Sequence, residues 1–408
     1  MLKNLILVTV SGPDKPGITA ALMRIISDSK GLIHDMGQSV THGLLSLSIL
    51  MDTGTVERNA SPILKDLLFE AKKMGLELEF EVIPEEDSPI VNGHELDKFI
   101  LSCVAPERIP TAFMADIANV LATNRINIQR IDNVTPTTFR TLEIQTAAEP
   151  GLDEKQIKLD IMKVGMNHAV DVCFIRDNVF RRNKRLIVFD MDSTLIQSEV
   201  IVDLAEKNGA GKEVHEITER AMNGELDFDE SLKLRVAQLK GLSQDQLEIV
   251  MDNLKFTPGT ELVLKTLKNL GYKIAIISGG FTYFANAIKE KFNLDYAFAN
   301  ELDIRGGKLT GQVSGTVVNA EQKAFLLDLI AQQENISLEQ VVAIGDGAND
   351  LPMLSKAGLG IAFHAKEIVK KQADTHMSFG PMTSILFFLG IPSSQHLDRV
   401  DNISSIRG

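Results

Sequence analysis

Cysteine is nearly absent from this chain, whose 408 residues include only Cys103 and Cys173. The two lie far apart, each inside an alternating apolar stretch, and the sequence has no CxxC pair or cysteine–histidine cluster of the kind that binds zinc. Two buried thiols in a protein core are therefore the interpretation that the sequence favours.

Basic residues are in the minority too, with 42 lysines and arginines against 55 aspartates and glutamates. Such a chain forms no large basic face, so we expect neither a nucleic-acid partner nor an anionic membrane partner. Long apolar runs are also lacking, since stretches such as ILFFLGI at 385–391 are far too short to span a bilayer. The N-terminal stretch MLKNLILVTVSGPDKPG does not resemble a signal peptide, and we expect a cytoplasmic protein.

The first part of the chain, residues 1–85, alternates strand and helix patterns in the order βαββαβ. This order predicts a ferredoxin-like α+β domain, in which helices cover one face of an antiparallel sheet. Residues 96–177 repeat the order with a period of about 95, so we expect a second domain of the same fold. The polar basic stretch at 176–185 is predicted to be a linker.

The loop SGPDKPGIT, residues 11–19, resembles the DxPG-type loop of ACT regulatory domains. Gly17 can adopt a backbone conformation closed to other residues, and a helix N-terminus can receive the carboxylate of an amino acid. The resemblance implies that Asp14, Gly17 and Ile18 bind an amino-acid effector and that the domain mediates homodimerisation. Read alone, the loop is equally typical of a simple turn. The second copy has APERIPTAF at 105–113, without glycine, and we expect that stretch to be structural.

From about residue 185 the pattern changes to buried strands that alternate with longer helices, which predicts a doubly wound parallel sheet over 185–391. The runs LIVFD, KIAIISGG and VVAIGDGAND each end in polar or glycine-rich turns. Because the carboxyl ends of parallel strands form the ligand crevice of such a sheet, residues far apart in the sequence should converge there. These residues are Asp190, Asp192, Ser278, Gly279, Asp346, Asn349 and Asp350.

Two aspartates that follow a buried strand, two residues apart, suit phosphoryl transfer. Asp190 at the strand end is placed to act as a nucleophile and to form an aspartyl-phosphate. Asp192 can protonate the leaving alcohol and then deprotonate the attacking water. A carboxylate that attacks a phosphate dianion needs cations, and a carboxylate-rich site suits Mg²⁺. We predict Asp190, Asp192 and Asp346 as metal ligands and Asp350 as a residue that holds metal-bound waters.

Phosphate oxygens need hydrogen-bond donors at the same place. We predict that the Ser278 hydroxyl and the Gly279 amide bind them, that Asn349 is a further substrate contact, and that Lys323 offsets the remaining negative charge. Taken singly, each motif is more typical of a capped turn, a loop or a solvent-exposed lysine. Taken together and in this order, they indicate a phosphoryl-transfer site.

The motifs DMDSTL, SGG, the lysine of NAEQKAFLL and GDGAND match, in order, the four motifs of haloacid dehalogenase-type phosphatases. The resemblance implies a Rossmann-like α/β fold with a small helical cap, here the charged helical insertion at about 199–256. Within that insertion, Ser243 and Gln246 predict a capping box for the last helix. Two ACT-type domains ahead of such a domain also resemble the longer bacterial members of the family.

The resemblance also implies a substrate, because it is to members that hydrolyse O-phospho-L-serine to L-serine and phosphate, the last step of serine biosynthesis. In those proteins a glutamate and a cap arginine receive the ammonium and carboxylate of the substrate. Glu199 and Arg235 match these positions, with Met222 and Phe228 as apolar cap partners. Both charges of a desolvated amino acid need partners, which such a pair supplies. Without the family, the four side chains would be interpreted as cap core and surface charges.

Three other functions stay open. The first is a phosphatase for another small phosphomonoester, which would have no need of Arg235. The second is a phosphorylated receiver controlled by the ACT domains, although receivers lack a helical cap and an acid/base residue such as Asp192. The third is an amino-acid binding protein with an inactive catalytic domain. Beyond the last domain, residues 392–408 are predicted to form a polar tail.

Overall fold

The chain divides into two compact units, Met1–Glu95 and Leu96–Gly408. The predicted polar tail at 392–408 lies outside the described residues. The computed structural model describes residues 5–52, 61–83, 96–135, 138–222, 225–373 and 375–391.

The first unit has the predicted βαββαβ order. Its elements are β1 (Leu5–Pro13), α1 (Ile18–Asp28), β2 (Leu32–Thr41), β3 (Leu44–Asp52), α2 (Ser61–Lys73) and β4 (Glu77–Ile83). The antiparallel sheet runs in the order β2-β3-β1-β4, so Val8 of the central strand β1 faces Ile49 on one side and Phe80 on the other. Val8 and Ile49 are fully buried because alternate residues of β1 and β3 pack against the two helices. The ferredoxin-like fold is thereby confirmed.

The second unit opens with a copy of the same fold. Its elements are β5 (Asp97–Val104), α3 (Thr111–Thr123), β6 (Asn127–Asn133), β7 (Thr141–Ala148), α4 (Glu154–His168) and β8 (Asp171–Arg176). The strand order β6-β7-β5-β8 repeats that of the first unit, strand for strand. Phe113, Ile117 and Leu121, at helical spacing along α3, are fully buried in its core. Cys103 and Cys173, in β5 and β8, are buried thiols outside any disulfide, as predicted.

A mostly parallel sheet follows. The strands of this part are β9 (Leu186–Phe189), β10 (Lys273–Phe281), β11 (Tyr296–Arg305), β12 (Lys308–Ser314), β13 (Val341–Gly345), β14 (Leu359–Phe363) and β15 (Thr375–Met377). They run in the order β12-β11-β10-β9-β13-β14-β15, and all neighbours are parallel except β11 and β12. The predicted parallel sheet is confirmed, and the hairpin of β11 and β12 adds an antiparallel edge.

Helices connect and cover these strands. They are α5 (Val200–Lys207), α6 (Gly211–Met222), α7 (Phe228–Ala237), α8 (Asp245–Asp252), α9 (Thr260–Asn269), α10 (Thr282–Phe292), α11 (Ala320–Gln333), α12 (Leu351–Lys356), α13 (Glu367–Lys370) and α14 (Ile385–Phe388). Four of them, α5 to α8, occupy the interval predicted to form the cap. Within the described ranges, no helix is long and apolar enough to cross a membrane.

The central strand β9 is apolar on both faces. Leu186 and Val188 belong to one hydrophobic core, Ile187 and Phe189 to another, and all four are fully buried. Such a strand is stable only inside a sheet that is covered on both sides. Strands β10 and β13 flank β9 on opposite sides. The strand order therefore reverses at β9, and a crevice opens at the carboxyl ends of the three strands.

The sheet does not end at β15. This strand pairs antiparallel with β8 through His376 and Val172, so the second ferredoxin-like sheet and the parallel sheet form one continuous eleven-stranded sheet. The fully buried Asp171 carboxylate accepts hydrogen bonds from the backbone N–H groups of Ser378 and Gly380, at 2.6 and 2.7 Å. Charged acceptors make the stronger hydrogen bonds, so Asp171 stabilises the junction. The sequence did not predict this connection.

The predicted domain boundaries at 1–85, 96–177 and 185–391 stay predictions. The two compact units divide between Glu95 and Leu96, and the second ferredoxin-like region and the parallel sheet lie in a single compact unit. A boundary between those two regions is therefore marked by a change of fold and not by a division into separate compact units.

The predicted capping box at Ser243 and Gln246 is wrong. Helix α8 begins at Asp245, so its N-cap residue is Gln244, which makes no side-chain cap hydrogen bond. The physical reason is that Ser243 pairs with Lys308 in an isolated antiparallel bridge, which holds Ser243 in an extended connection ahead of the helix.

Candidate active site

The carboxyl ends of β9, β10 and β13 meet at one edge of the sheet. Asp190 directly follows β9, and its backbone N–H donates to the carbonyl of Ile344 in β13 at 2.8 Å. Ser278 and Gly279 lie in the last part of β10, and Asp346 directly follows β13. The topology therefore brings motifs from three distant parts of the sequence to one crevice.

Three carboxylates converge in this crevice. One carboxylate oxygen each from Asp190, Asp346 and Asp350 lies within 4.8 Å of the other two. The Thr194 hydroxyl donates to Asp346 Oδ1 at 3.3 Å and helps to orient that carboxylate. A closely spaced set of oxygen donors fits a hard divalent cation such as Mg²⁺. Asp350, which the sequence predicted in a supporting position, lies within the same 4.8 Å limit of the other two carboxylates.

A buried ammonium group faces the three carboxylates. Lys323 lies near the start of α11, where the Asn319 side chain caps the helix by accepting from the Gln322 N–H. Its Nζ is completely buried and donates to Asp190 Oδ1 at 2.7 Å and to Asp350 Oδ1 at 2.6 Å. Burial alone would lower the pKa of Lys323, but the two carboxylates outweigh it and hold that pKa above its ordinary value. Lys323 is therefore a permanent positive charge in the crevice.

The carboxylates outnumber this one ammonium group. Burial, opposed by Lys323 and reinforced by Asp350, raises the pKa of Asp190 above its ordinary value. Burial and the charges of Asp190 and Asp350 likewise raise the pKa of Asp346. Both raised pKa values show that burial and the neighbouring carboxylates disfavour the charged form more than Lys323 favours it. A divalent cation would supply the missing positive charge, so the electrostatics and the donor set both fit Mg²⁺.

Asp192 lies in an irregular turn, Met191–Leu195, between β9 and α5. Within it Ser193 has a φ of 56°, which is uncommon for a residue with a side chain and often marks a functional turn. The Asp192 carboxylate accepts from the Val200 N–H at 3.0 Å. Burial and the charge of Asp190 raise the pKa of Asp192 to about 8, so it carries a proton near neutral pH, as a general acid must. Its predicted role as a metal ligand stays a prediction.

The candidate phosphate-binding segment is held from behind by an asparagine. The buried Ser278 hydroxyl accepts from the Gly280 N–H at 3.0 Å. The Gly279 carbonyl accepts from Asn300 Nδ2 at 2.8 Å, and Asn300 Oδ1 accepts from the Val318 N–H at 2.8 Å. Asn300 therefore ties this segment to the chain that leads into α11. The sequence analysis missed it, although a polar residue after the apolar run YAFA in β11 was an available signal.

The cap approaches the same segment through Phe228. A Cβ atom at Gly279 would lie 2.9 Å from Phe228 Cζ, so a larger residue would force the Phe228 ring to shift, whereas its 3.7 Å distance to Asn349 Nδ2 is an ordinary contact. Asp229, the next residue of α7, accepts a hydrogen bond from Asn319 Nδ2 at 3.2 Å. This hydrogen bond connects the cap to the helix that carries the buried lysine, and the sequence analysis missed it.

Glu199 and Arg235, which the sequence analysis assigns to the substrate ammonium and carboxylate, form an ion pair with each other, with 3.6 Å between Glu199 Oε2 and Arg235 Nη1. Burial lowers the pKa of Arg235, although the charges of Glu199 and Asp192 oppose the shift, which places Arg235 within electrostatic reach of the crevice. The Glu199 side chain is 40% exposed and the Arg235 side chain 12% exposed. Met222 is the last residue of α6, and its side chain lies outside the described part of the chain.

In the first unit, the predicted effector residues Asp14, Gly17 and Ile18 line a cavity of about 400 Å³. Gly17 precedes α1 with a φ of 98°, a conformation that favours glycine. The Thr19 hydroxyl donates to Gln38 Oε1 at 2.7 Å, which connects the helix start to β2. The loop residues are thus gathered around a helix N-terminus and a cavity large enough for a small ligand.

Two family models match the chain. Haloacid dehalogenase-like hydrolase matches residues 184–358, and ACT domain matches residues 4–81. The crystal structure of a haloacid dehalogenase family hydrolase from Salmonella enterica serovar Typhi is 30% identical, covers 71% of this chain and 98% of its own, and has a TM-score of 0.62. The fold and the site therefore define a haloacid dehalogenase-like hydrolase that follows an ACT domain.

Relatives that match nearly the whole length narrow this class. Phosphoserine phosphatase SerB2 of Mycobacterium tuberculosis is 36% identical over 95% of this chain and 93% of its own, and phosphoserine phosphatase of Streptomyces coelicolor is 35% identical over 99% and 96%. The unliganded crystal structure of a probable phosphoserine phosphatase from Vibrio cholerae, 37% identical, covers 72% of this chain and 87% of its own with a TM-score of 0.58. The chain belongs to the phosphoserine phosphatase family.

Replacing the buried lysine tests the electrostatic account of the site. Lys323→Met keeps the length of the side chain but leaves Asp190 and Asp350 buried without their common partner. We expect this substitution to lower the free energy of unfolding by about 3 to 5 kcal/mol, because it leaves the Asp190 and Asp350 carboxylates buried without a counter-charge. Urea unfolding followed by circular dichroism measures the loss.

Lys356→Met is the matched control, because Lys356 pairs with Asp328 at 3.0 Å where both side chains are about one third exposed. Its loss should be at most about 1 kcal/mol, as for other surface ion pairs. Equal losses in the two variants would contradict the account.

Proposed function

We propose that this protein hydrolyses O-phospho-L-serine to L-serine and phosphate through an aspartyl-phosphate on Asp190. The observation that carries the proposal is the contact of the buried Lys323 ammonium with Asp190 and Asp350, in a crevice that a cap with the ion pair of Glu199 and Arg235 approaches. The first arrangement suits a phosphoryl group and the second suits an amino acid. Relatives that cover nearly the whole chain are named phosphoserine phosphatases.

The reaction proceeds in two steps. In the first, a carboxylate oxygen of Asp190 attacks phosphorus and the bond from phosphorus to the serine oxygen breaks. Asp192, protonated near neutral pH because its pKa is raised, gives its proton to the departing serine oxygen. In the second, Asp192 takes a proton from a water molecule whose oxygen attacks phosphorus. The bond from Asp190 to phosphorus breaks, and phosphate leaves.

The carboxylates of Asp190 and Asp346 would hold a Mg²⁺ ion, with Asp350 within reach of its waters and Asp192 as the further ligand that the sequence predicts. When bound, the ion offsets the charge of the phosphate and of the carboxylates. The Ser278 hydroxyl accepts from a neighbouring N–H, so its own hydrogen is free to bind a phosphate oxygen.

Substrate choice belongs to the cap. Glu199 pairs with the substrate ammonium and Arg235 with its carboxylate, because charges taken out of water each need a partner. Phe228 and Asn349 border the phosphate-binding segment and limit the space around the substrate. In the cell this reaction would complete serine biosynthesis. The alternative is a phosphatase for another small phosphomonoester, for which Arg235 would have no function.

Phosphate release from O-phospho-L-serine tests the proposal. We expect release that requires Mg²⁺ and stops with a chelator, and a kcat/KM for a sugar phosphate that is lower by at least about 100-fold, since a sugar offers no ammonium to Glu199 and no carboxylate to Arg235. Asp190→Asn keeps the shape of the side chain but removes the nucleophile, and should lower kcat on the order of 10⁴-fold or more. The exposed Asp177→Asn is the matched control and should retain full activity.

The outcomes separate the parts of the proposal. Equal rates on phosphoserine and the sugar phosphate would keep the chemistry but overturn the assignment of the cap. Full activity of the Asp190→Asn protein would overturn the nucleophile. Absence of release from every substrate would overturn the phosphatase and favour the receiver.

The ACT-type domain is proposed to bind an amino acid such as L-serine at the cavity around Gly17 and to form a homodimer through a sheet edge. In support, β2 is an edge strand on which Met36 and Val40 are 46% and 47% exposed. Calorimetric titration with L-serine should give saturable heat. In Gly17→Ala the affinity should fall at least about tenfold, because the φ of Gly17 disfavours a side chain.

Gly75→Ala is equally strained, with a φ of 75°, but it lies outside the cavity and should bind as the unmodified protein does. Absence of heat from the unmodified chain would contradict the effector site, and a monomer mass in sedimentation would contradict the dimer. The predicted cytoplasmic location is part of the same proposal, and cell fractionation tests it.

A further inference from the structure

Helix α7 presents three side chains on one face. Phe228, Ser231 and Arg235 stand three and then four residues apart, which puts them within one narrow arc of the helix surface. Phe228 contacts the Gly279 segment at one end, and Arg235 pairs with Glu199 at the other. Ser231 therefore lies between the predicted phosphate-binding and carboxylate-binding ends of the site.

The Ser231 hydroxyl has no hydrogen-bond partner within the part of the chain that the structure describes, although the residue is only 2% exposed. A serine in a helix ordinarily satisfies its hydroxyl on the carbonyl four residues back. Here the Asp227 carbonyl accepts from the Ser231 backbone N–H at 3.0 Å and not from its hydroxyl. A buried polar group without a partner is rare and costs stability, so it asks for a functional explanation.

A second donor on the same face is also unsatisfied. Arg235 Nε is buried and without a partner among the described residues, while the Nη1 of the same side chain faces Glu199. Residues four apart on a helix are surface neighbours, so the two unused donors lie one turn from each other. A carboxylate offers two oxygens and about four acceptor positions, which is enough for both donors at once.

We infer that Ser231 is a specificity-determining residue whose hydroxyl donates to the substrate carboxylate beside Arg235. This inference rests on the proposed function, since it needs a substrate with a carboxylate. Binding then satisfies two donors that the free protein leaves buried and unpaired, and a substrate without a carboxylate leaves them so. The discrimination comes from this difference, as in other sites built to hydrogen-bond one substrate group.

A packing role is the competing explanation, because α7 also packs against α6 and β12. The two explanations predict different kinetics. If Ser231 only fills space, its replacement by alanine should not change substrate choice. If its hydroxyl donates to the substrate, the same replacement should change substrate choice.

Ser231→Ala tests the inference in the full chain. For O-phospho-L-serine, KM should rise about tenfold with kcat nearly unchanged, because a ground-state hydrogen bond to a charged group is lost. For phosphoethanolamine, which keeps the ammonium and the phosphate but lacks the carboxylate, kcat/KM should not change. The melting temperature of the free protein should rise by roughly 2 °C, since an unsatisfied hydroxyl is removed.

Ser355→Ala, an exposed serine of α12, is the control and should change none of these values. An unchanged KM for phosphoserine, or an equal loss on both substrates, would overturn the inference in favour of packing. A lower melting temperature would contradict the premise that the hydroxyl is unsatisfied. If the unmodified protein does not hydrolyse phosphoserine, the proposed function fails first, and the two failures are thereby distinguished.

Discussion

The Lys323 ammonium, buried and donating to Asp190 and Asp350 at 2.7 and 2.6 Å, is the contact on which the rest of the site depends. Two buried carboxylates would otherwise lack a counter-charge, at a cost of several kcal/mol. The contact requires that β9 end at Asp190 and that α11 begin close to the same edge of the sheet. Asn300 and Asn319 secure that position, since one ties the start of the α11 segment to β10 and the other caps the helix. One ammonium among several carboxylates still leaves negative charge, and that excess is the physical reason why the site fits a divalent cation.

The sheet and the cap contribute different groups to the site. The carboxyl ends of β9, β10 and β13 supply groups that any phosphomonoester can use. The cap supplies Glu199, Ser231 and Arg235, to which we assign the ammonium and the carboxylate of the proposed substrate. The hydrogen bond from Asn319 to Asp229 connects the two parts, so the helix that bears the buried lysine also holds the helix that bears the arginine. In the proposed reaction, this hydrogen bond couples recognition of the amino acid to the position of the phosphate site.

Much of the fold and of the site could be predicted from the sequence, because both follow from local patterns and topology. Asp190, Ser278 and Asp346 stand at the ends of apolar runs, and parallel strands bring such ends together wherever the runs lie in the chain. Contacts that depend on three-dimensional packing could not be predicted. The pairing of β15 with β8 involves three-residue and six-residue strands far apart in the sequence. The capping box at Ser243 failed because a bridge to Lys308 took its place. The hydrogen bonds of Asn300, and the lack of a partner for the Ser231 hydroxyl among the described residues, depend on packing that no spacing reveals.

The central claim is that Asp190 is the nucleophile and carries the phosphoryl group between the two steps. It is tested most directly by mixing the protein and Mg²⁺ with O-phospho-L-serine labelled at phosphorus, quenching in acid within milliseconds, and locating the label by peptide mass spectrometry. The account predicts label on the peptide that contains Asp190, appearing before free phosphate accumulates and absent from the Asp190→Asn protein. Phosphate release at full rate with no labelled protein at any time, or with label on another residue, would contradict it.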